Sequence, residues 1–218
     1  LDYTVVVPVY NEARHLERLL PRLLPLVPRV LVVDDGSIDE TVSVARRLGA
    51  RVARHERNRG KGAAVQTGLR NAETEAVVLM DGDGQHDPRD APRLARELAR
   101  GYDLVIGDRF SGELNGTPLH RRTANDLIRW LLAPTGVNDP LSGLRALRRS
   151  RFLDLRESGY ETEMEMVFRA HRAGLRIGSV PVRVGERVGS RALTDWLRPS
   201  GWTTYARLLS FAVRGRLG

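Results

Sequence analysis

Asp81-Gly82-Asp83-Gly84-Gln85 places two carboxylates one residue apart, directly after an apolar run, Ala76 to Met80, that reads as a buried strand. Hard oxygen ligands at a loop tip suit Mg²⁺ or Mn²⁺, which accept bridging phosphate oxygens in their remaining positions. A cation held there would neutralise a diphosphate leaving group as its bond to a sugar breaks. An Asp-Gly pair is also a common turn signal, so the motif draws its weight from where it falls. Two other apolar runs end in polar groups, Pro8-Val9-Tyr10-Asn11-Glu12 and Asp34-Asp35-Gly36-Ser37. Carboxylates at strand ends can accept hydrogen bonds from a base edge or a ribose hydroxyl, and Tyr10 offers a stacking face; helix capping is the plain alternative for both segments. Gly60-Lys61-Gly62 lacks the P-loop spacing, and no dinucleotide-binding glycine pattern follows the first strand. A lysine between glycines can still come close to a nucleotide.

These residues need a sheet to carry them. Tyr3 to Val9, Val30 to Val33, Arg51 to Arg54, Ala76 to Met80 and Leu104 to Gly107 read as strands. Leu16, Leu19, Leu20, Leu23 and Leu24 recur at helical spacing after Asn11, a natural N-cap, while Pro21 and Pro25 make that helix short or broken. Asp39 caps a second helix through Leu48, with Gly49 as its stop; a third runs from Ala63 to Asn71, and a fourth follows Pro92. The alternation predicts an α/β fold, a mostly parallel central sheet with helices on both faces and ligands outside the carboxyl ends of its strands. The second half is less regular. Ser111 to Leu119 reads as a loop, Arg121 to Leu132 as an amphipathic helix, and Leu141 to Leu147 as a strand. Glu161 to Ala173 reads as a helix whose early carboxylates suit its dipole, and Leu175 to Val184 as a last strand. Gly185 to Ser190 reads as a loop, and Leu193 to Val213 as largely helical apart from Pro199 and Gly201.

At 218 residues, 41% hydrophobic and 28% charged, the chain can bury one sizeable core, and its composition argues against disorder. The absence of cysteine excludes disulfides, thiolate zinc sites and cysteine nucleophiles. A net charge of +8, carried almost wholly by arginine, points to a polyanionic partner or to an arginine-rich genome. The arginines are scattered and form no nucleic-acid motif, so nucleic acid is not expected as a partner. No apolar run approaches the roughly 20 residues of a membrane-spanning helix, and no secretory signal pattern opens the chain.

VVVPVYNE, LVVDDGSIDET, NRGKGAA, VVLMDGDGQHDP, VIGDRF, DPLSGLRAL, ETEMEMVFRAHRAGLRI, and VPVRV followed by GSR run in this order from residue 4 to about 191. Together they resemble the family 2 glycosyltransferases of GT-A fold, especially the dolichol-phosphate mannose synthases and polyprenyl-phosphate glucosyltransferases. The resemblance implies a GT-A catalytic domain over residues 1–191 and an amphipathic helical extension over 192–218. It implies that Pro8, Tyr10, Asn11, Glu12, Val33 and Asp35 hold the nucleoside, with Lys61 near it. Asp81, Gly82, Asp83 and Gln85 would surround the diphosphate, with Asp81, Asp83 and Gln85 on a Mg²⁺ or Mn²⁺ ion. Arg109 matches a phosphate contact, while Arg121 or Arg122, with Ser142 and Arg145, would meet the acceptor phosphate. Arg187 and Arg191 would supply basic groups from a loop. Asp83, Arg109, Arg121 and Arg145 form the implied catalytic set. The chain departs from the family in the two glycines of its metal loop, which should loosen it, in Val188-Gly-Ser-Arg191, and in Asp108, whose charge sits beside Arg109.

The implied reaction is a single in-line displacement that inverts the anomeric carbon. It moves a hexose from a nucleotide-sugar, GDP-mannose first and UDP-glucose second, to a polyprenyl or dolichyl phosphate. Such an acceptor is already an anion near neutral pH, so the protein need only position it and stabilise the leaving diphosphate, a task suited to arginine. A hydroxyl acceptor on a glycan, lipid or small molecule would need a base, for which Asp139 is the candidate by position. A sugar nucleotidyltransferase would show a glycine-rich loop where this chain has Pro8 to Glu12. His86 and His120 read as polar loop residues. Trp196, Leu197, Trp202, Tyr205, Leu208, Leu209, Phe211 and Val213 alternate with Arg198, Arg207, Arg214 and Arg216, a pattern that suits a lipid interface or a helix packed on the domain. Many relatives continue into transmembrane helices. The expectation here is a peripheral enzyme on the cytoplasmic face of a membrane, or the soluble part of a longer chain.

Overall fold

The computed structural model describes residues 1–111, 126, 128–183, 185 and 206–214. Arg121, Arg122, Arg187, Arg191, His120, Trp196 and Trp202, named above, lie outside the described residues. Among the described residues seven strands form one sheet: β1 (Tyr3–Val9), β2 (Arg29–Asp34), β3 (Arg51–Arg54), β4 (Ala76–Leu79), β5 (Leu104–Asp108), β6 (Arg145–Arg148) and β7 (Ile177–Pro181). Their order is β3-β2-β1-β4-β6-β5-β7. All pairings are parallel except those of β6, which runs antiparallel between β4 and β5. The sheet is thus mostly parallel, as the alternation predicts. The order turns at β1, which pairs with β2 on one side and β4 on the other, and a ligand crevice forms outside the carboxyl ends at such a switch point.

Helices α1 (Ala13–Leu23), α2 (Thr41–Arg47), α3 (Lys61–Asn71), α4 (Asp90–Ala99) and α5 (Thr162–Arg172) cover the two faces. Pleating sends Val5, Val7 and Val9 of β1 into a core shared with α1 and α4, and Val6 into a core shared with α3 and α5. Each such valine, wholly or almost wholly buried, contributes about 1.5–3 kcal/mol relative to exposure, which fixes the register and hence what stands at the strand ends.

Two local expectations about α1 are corrected. Asn11 is not the N-cap of α1: it adopts the left-handed conformation (φ 55°), and Glu12 holds the cap position without a side-chain cap bond. The α1 amides are met from across the crevice instead, Glu12 N–H donating to Thr41 Oγ1 (2.9 Å) and Ala13 N–H to Asp39 Oδ2 (3.3 Å). Pro21 sits inside a continuous α1, and the chain tightens only at Pro25, into a 3₁₀ turn over Leu24–Leu26.

Residues 206–214 are helical and close over α5. Leu208 and Ala212 are buried, the Phe211 and Phe168 ring centroids are 6.1 Å apart, and Arg207 Nε lies 2.8 Å from Glu161 Oε1. This part of the C-terminal extension therefore packs on the domain. Among the described residues no helix is long and apolar enough to cross a membrane.

Candidate active site

The carboxyl ends of β1 and β2 are knitted together. Asn11 N–H donates to Ser37 Oγ (2.8 Å), and Asn11 Oδ1 accepts from the Ile38 amide (3.0 Å). Tyr10 stays 43% exposed beside this seam, available as a stacking face, whereas Val33 is fully buried in β2. Asp34 is sealed beneath the turn, paired with Arg54 Nε (3.2 Å). Asp35 holds the next loop: its carboxylate accepts the amides of Arg59 (2.9 Å) and Gly60 (2.8 Å) and lies 2.7 Å from His55 Nδ1. Its first task is thus to shape the loop that leads to Lys61.

Gly60-Lys61-Gly62 then opens α3. A Cβ at either glycine would overlap the backbone of residues 157–158, so the glycines let α3 press against that segment. Gly62 N–H donates to Ser158 O at 2.7 Å. This contact delivers Lys61, the only lysine in the chain, between two acids. Its Nζ lies 2.8 Å from Asp81 Oδ1 and 2.6 Å from Glu163 Oε1, and 5.5 Å above the Tyr160 ring. Burial works against the ammonium, but Asp81 and Glu163 outweigh it and raise its pKa above the ordinary lysine value. Burial would likewise raise Asp81, but Lys61, His86 and Arg109 hold it down, at about 2.

The acidic loop is tighter than its glycines suggest. A Cβ at Gly82 would overlap the Val9 side chain, so Gly82 closes the loop onto β1 instead of loosening it; Gly84 alone is in open space, at φ 74°. Asp83 Oδ1 accepts the Gln85 amide (3.1 Å). Gln85 is joined to Gly185 by a 2.8 Å backbone bond and a 3.4 Å side-chain bond, which brings the chain after β7 to the loop. Gly143 leaves room for the Asp81 carboxylate, which any Cβ there would strike. His86 is buried beside Asp81 and Asp83, its Nδ1 without a hydrogen bond, and burial pushes its pKa below the ordinary value.

The acceptor-side residues are placed differently from expectation. Arg145 is fully buried, and its donors go to backbone carbonyls: Nε and Nη2 to Ser142 (3.0 and 2.6 Å), Nη2 to Pro140 (3.1 Å) and Nη1 to Glu163 (2.8 Å). Ser142 is fully buried in the same turn, its Oγ against Leu144. Both are built into the loop that carries Gly143. Asp108 does not pair with Arg109 either: it accepts the amides of Phe110 (2.8 Å) and Ser111 (3.1 Å). Arg109 instead holds Asp139 by two bonds, Nε to Oδ2 (2.6 Å) and Nη2 to Oδ1 (2.7 Å).

The structure therefore brings Lys61, Asp81 and Arg109 together, with Asp83 near them beside His86. Sequence reasoning missed Glu163, Tyr160 and the burial of His86. Glu163 reads as a dipole-complementing residue at a helix start; the available signal was its place between Thr162 and Met164 on a face that also carries Met166 and Val167.

Among the described residues no three His, Asp or Glu side chains form a ready metal cage. Two carboxylates with a buried, unpartnered imidazole nitrogen beside them fit instead an open site, of the kind a cation shares with a diphosphate.

A doubly wound sheet with acids and one buried lysine at its switch point defines a GT-A-type α/β transferase. The sequence model of Glycosyl transferase family 2 matches residues 4–164, and the chain belongs to that family. It is 38% identical over 199 residues to a glycosyltransferase of Mycobacterium tuberculosis, covering 87% of this chain and 88% of that protein. It is 34% identical over 206 residues to the polyprenol monophosphomannose synthase of Mycolicibacterium smegmatis, covering 84% of this chain and 77% of that one. Among solved structures, glucosyl-3-phosphoglycerate synthase from M. tuberculosis in complex with Mn²⁺, uridine diphosphate and glucosyl-3-phosphoglycerate matches with a TM-score of 0.76 and 29% identity, over 97% of this chain and 80% of that one.

Proposed function

We propose that this chain transfers a hexose from a nucleotide-sugar to the phosphate of a polyprenyl or dolichyl phosphate, with inversion, at a membrane surface. The observation that carries the acceptor class is the state of Asp139. It is 1% exposed and holds the Arg109 guanidinium through both oxygens, so the carboxylate that position nominates as base is already committed. A phosphate monoester needs no base.

Asp81 and Asp83 would hold a divalent cation, which supplies neutralising charge to the departing diphosphate. The Mn²⁺ in the structural relative supports this. In this reading Tyr10 offers its ring to the nucleoside, Arg109, steered by Asp139, faces the phosphates, and Gln85 joins the acidic loop to the chain at Gly185. The mycobacterial polyprenol monophosphomannose synthase supports mannose as the sugar transferred.

A second reading has support of its own. The structural relative carries a uridine nucleotide and a glucosylated phosphoglycerate, which favours UDP-glucose and a small phosphorylated acceptor. Nucleotide release from GDP-mannose and UDP-glucose, each with Mg²⁺, measured alone, with polyprenyl phosphate and with 3-phosphoglycerate, separates the two. Release from GDP-mannose only when the lipid is present is the expected result. Release that ignores the lipid and needs 3-phosphoglycerate would overturn the lipid acceptor.

A further inference from the structure

We infer that Lys61 is a resident counter-ion for Asp81, one that an arriving cation must displace and that then turns to the donor diphosphate. The inference rests on the reading of Asp81 as a cation ligand. Three observations support it. Lys61 Nζ sits 2.8 Å from Asp81 Oδ1, inside the coordination space of that oxygen. The same Nζ keeps a second anchor, Glu163 Oε1 at 2.6 Å, so it can leave Asp81 without becoming an unpaired buried charge. Glu163 Oε2 is buried without a hydrogen bond, which leaves Glu163 an unused oxygen to take up the ammonium as it swings away.

The exchange leaves neither carboxylate without a cationic partner. Before binding, the carboxylates of Asp81 and Glu163 share one ammonium. Asp81 would hold a divalent cation that entered with a nucleoside diphosphate, and Lys61, still anchored on Glu163, would be free to turn toward the phosphates. Cation and nucleotide therefore bind cooperatively through the lysine, in addition to any direct bond between them. Glycines 60 and 62 fit this role: they hold the start of α3 against residues 157–158, so the backbone stays fixed while the side chain moves.

Because the chain has a single lysine, the test needs no mutation. Tag-free protein labelled with ¹³C-lysine gives one side-chain signal set, followed in a titration with MgCl₂ and then with GDP, while calorimetry records Mg²⁺ binding. The expected result is a saturable shift of the Lys61 ε-carbon on Mg²⁺ and a second shift on GDP. As a companion, Lys61→Met is expected to bind Mn²⁺ about tenfold more tightly than wild type without nucleotide, and to lose most of the gain that GDP confers. If Mg²⁺ binds and the Lys61 signal does not move, the displacement is wrong while the metal reading stands. If no Mg²⁺ binds even with GDP, both are wrong. Unchanged or weaker Mn²⁺ binding by a cooperatively folding Lys61→Met would also overturn the exchange.

Discussion

Arg109 and Asp139 meet in a two-bond, planar pairing at 2.6 and 2.7 Å, with a third bond of 3.1 Å from the Arg109 amide to Asp139 Oδ2. The arginine is partly exposed and the aspartate almost wholly buried, so the carboxylate fixes the orientation of the guanidinium. Asp139→Asn keeps the shape and weakens the grip. Its kcat/KM is expected to fall about tenfold with the pH profile unchanged, since a positioning contact is lost and no proton carrier. A fall of 10² or more with loss of the acidic limb would mark Asp139 as a general base.

Arg145 is an internal strut. Arg145→Met would strand the carbonyls of Pro140, Ser142 and Glu163, at about 1–3 kcal/mol for each buried acceptor left unpaired. A loss of about 3 kcal/mol or more in urea unfolding is expected. Unchanged stability with a raised acceptor KM would return Arg145 to the acceptor site.

His86 sets an acid sensitivity. Its folded pKa lies below its ordinary 6.5, so the unfolded chain binds the proton first and stability falls as pH drops below that value. Asp81 adds a second loss, beginning below its ordinary 3.8 and complete near its folded value of about 2. In the ligand-free protein His86→Asn is expected to remove the first leg of the stability–pH curve and leave the second. A wild-type curve flat between pH 7 and 5 would contradict this.

Leu208, on the helical segment 206–214, is 2% exposed. Leu208→Ala is expected to cost about 2–4 kcal/mol, read as a lower urea midpoint. An unchanged midpoint would mean that this helix is not packed on the domain in solution.

Much of this was legible in the residues. Apolar runs ending in Asn11-Glu12, Asp34-Asp35 and Asp81-x-Asp83 could only be strands that deliver polar groups to one edge, and period and punctuation located five of seven strands closely. The acidic edge and Lys61 followed from these. Less legible was whatever depends on long-range packing. The motif around Arg145 points to an acceptor phosphate, and nothing in it reveals the carbonyls that surround the guanidinium. Glu163 joins Lys61 only because glycines 60 and 62 allow α3 to dock on residues 157–158, a contact across about a hundred residues. The antiparallel β6 leaves no local mark, since its direction is set by the return of the chain after β5.

The central claim is glycosyl transfer at the Asp81–Asp83 loop, and formation of lipid-linked sugar from GDP-[¹⁴C]mannose and a polyprenyl phosphate tests it most directly. Wild type and Asp83→Ala would be compared with Mg²⁺ and with EDTA. Label entering the lipid phase with wild type and Mg²⁺, and falling at least about a hundredfold with EDTA or Asp83→Ala, is the expected result. Transfer undiminished in Asp83→Ala, or no transfer by a folded wild type from either GDP-mannose or UDP-glucose, would contradict it.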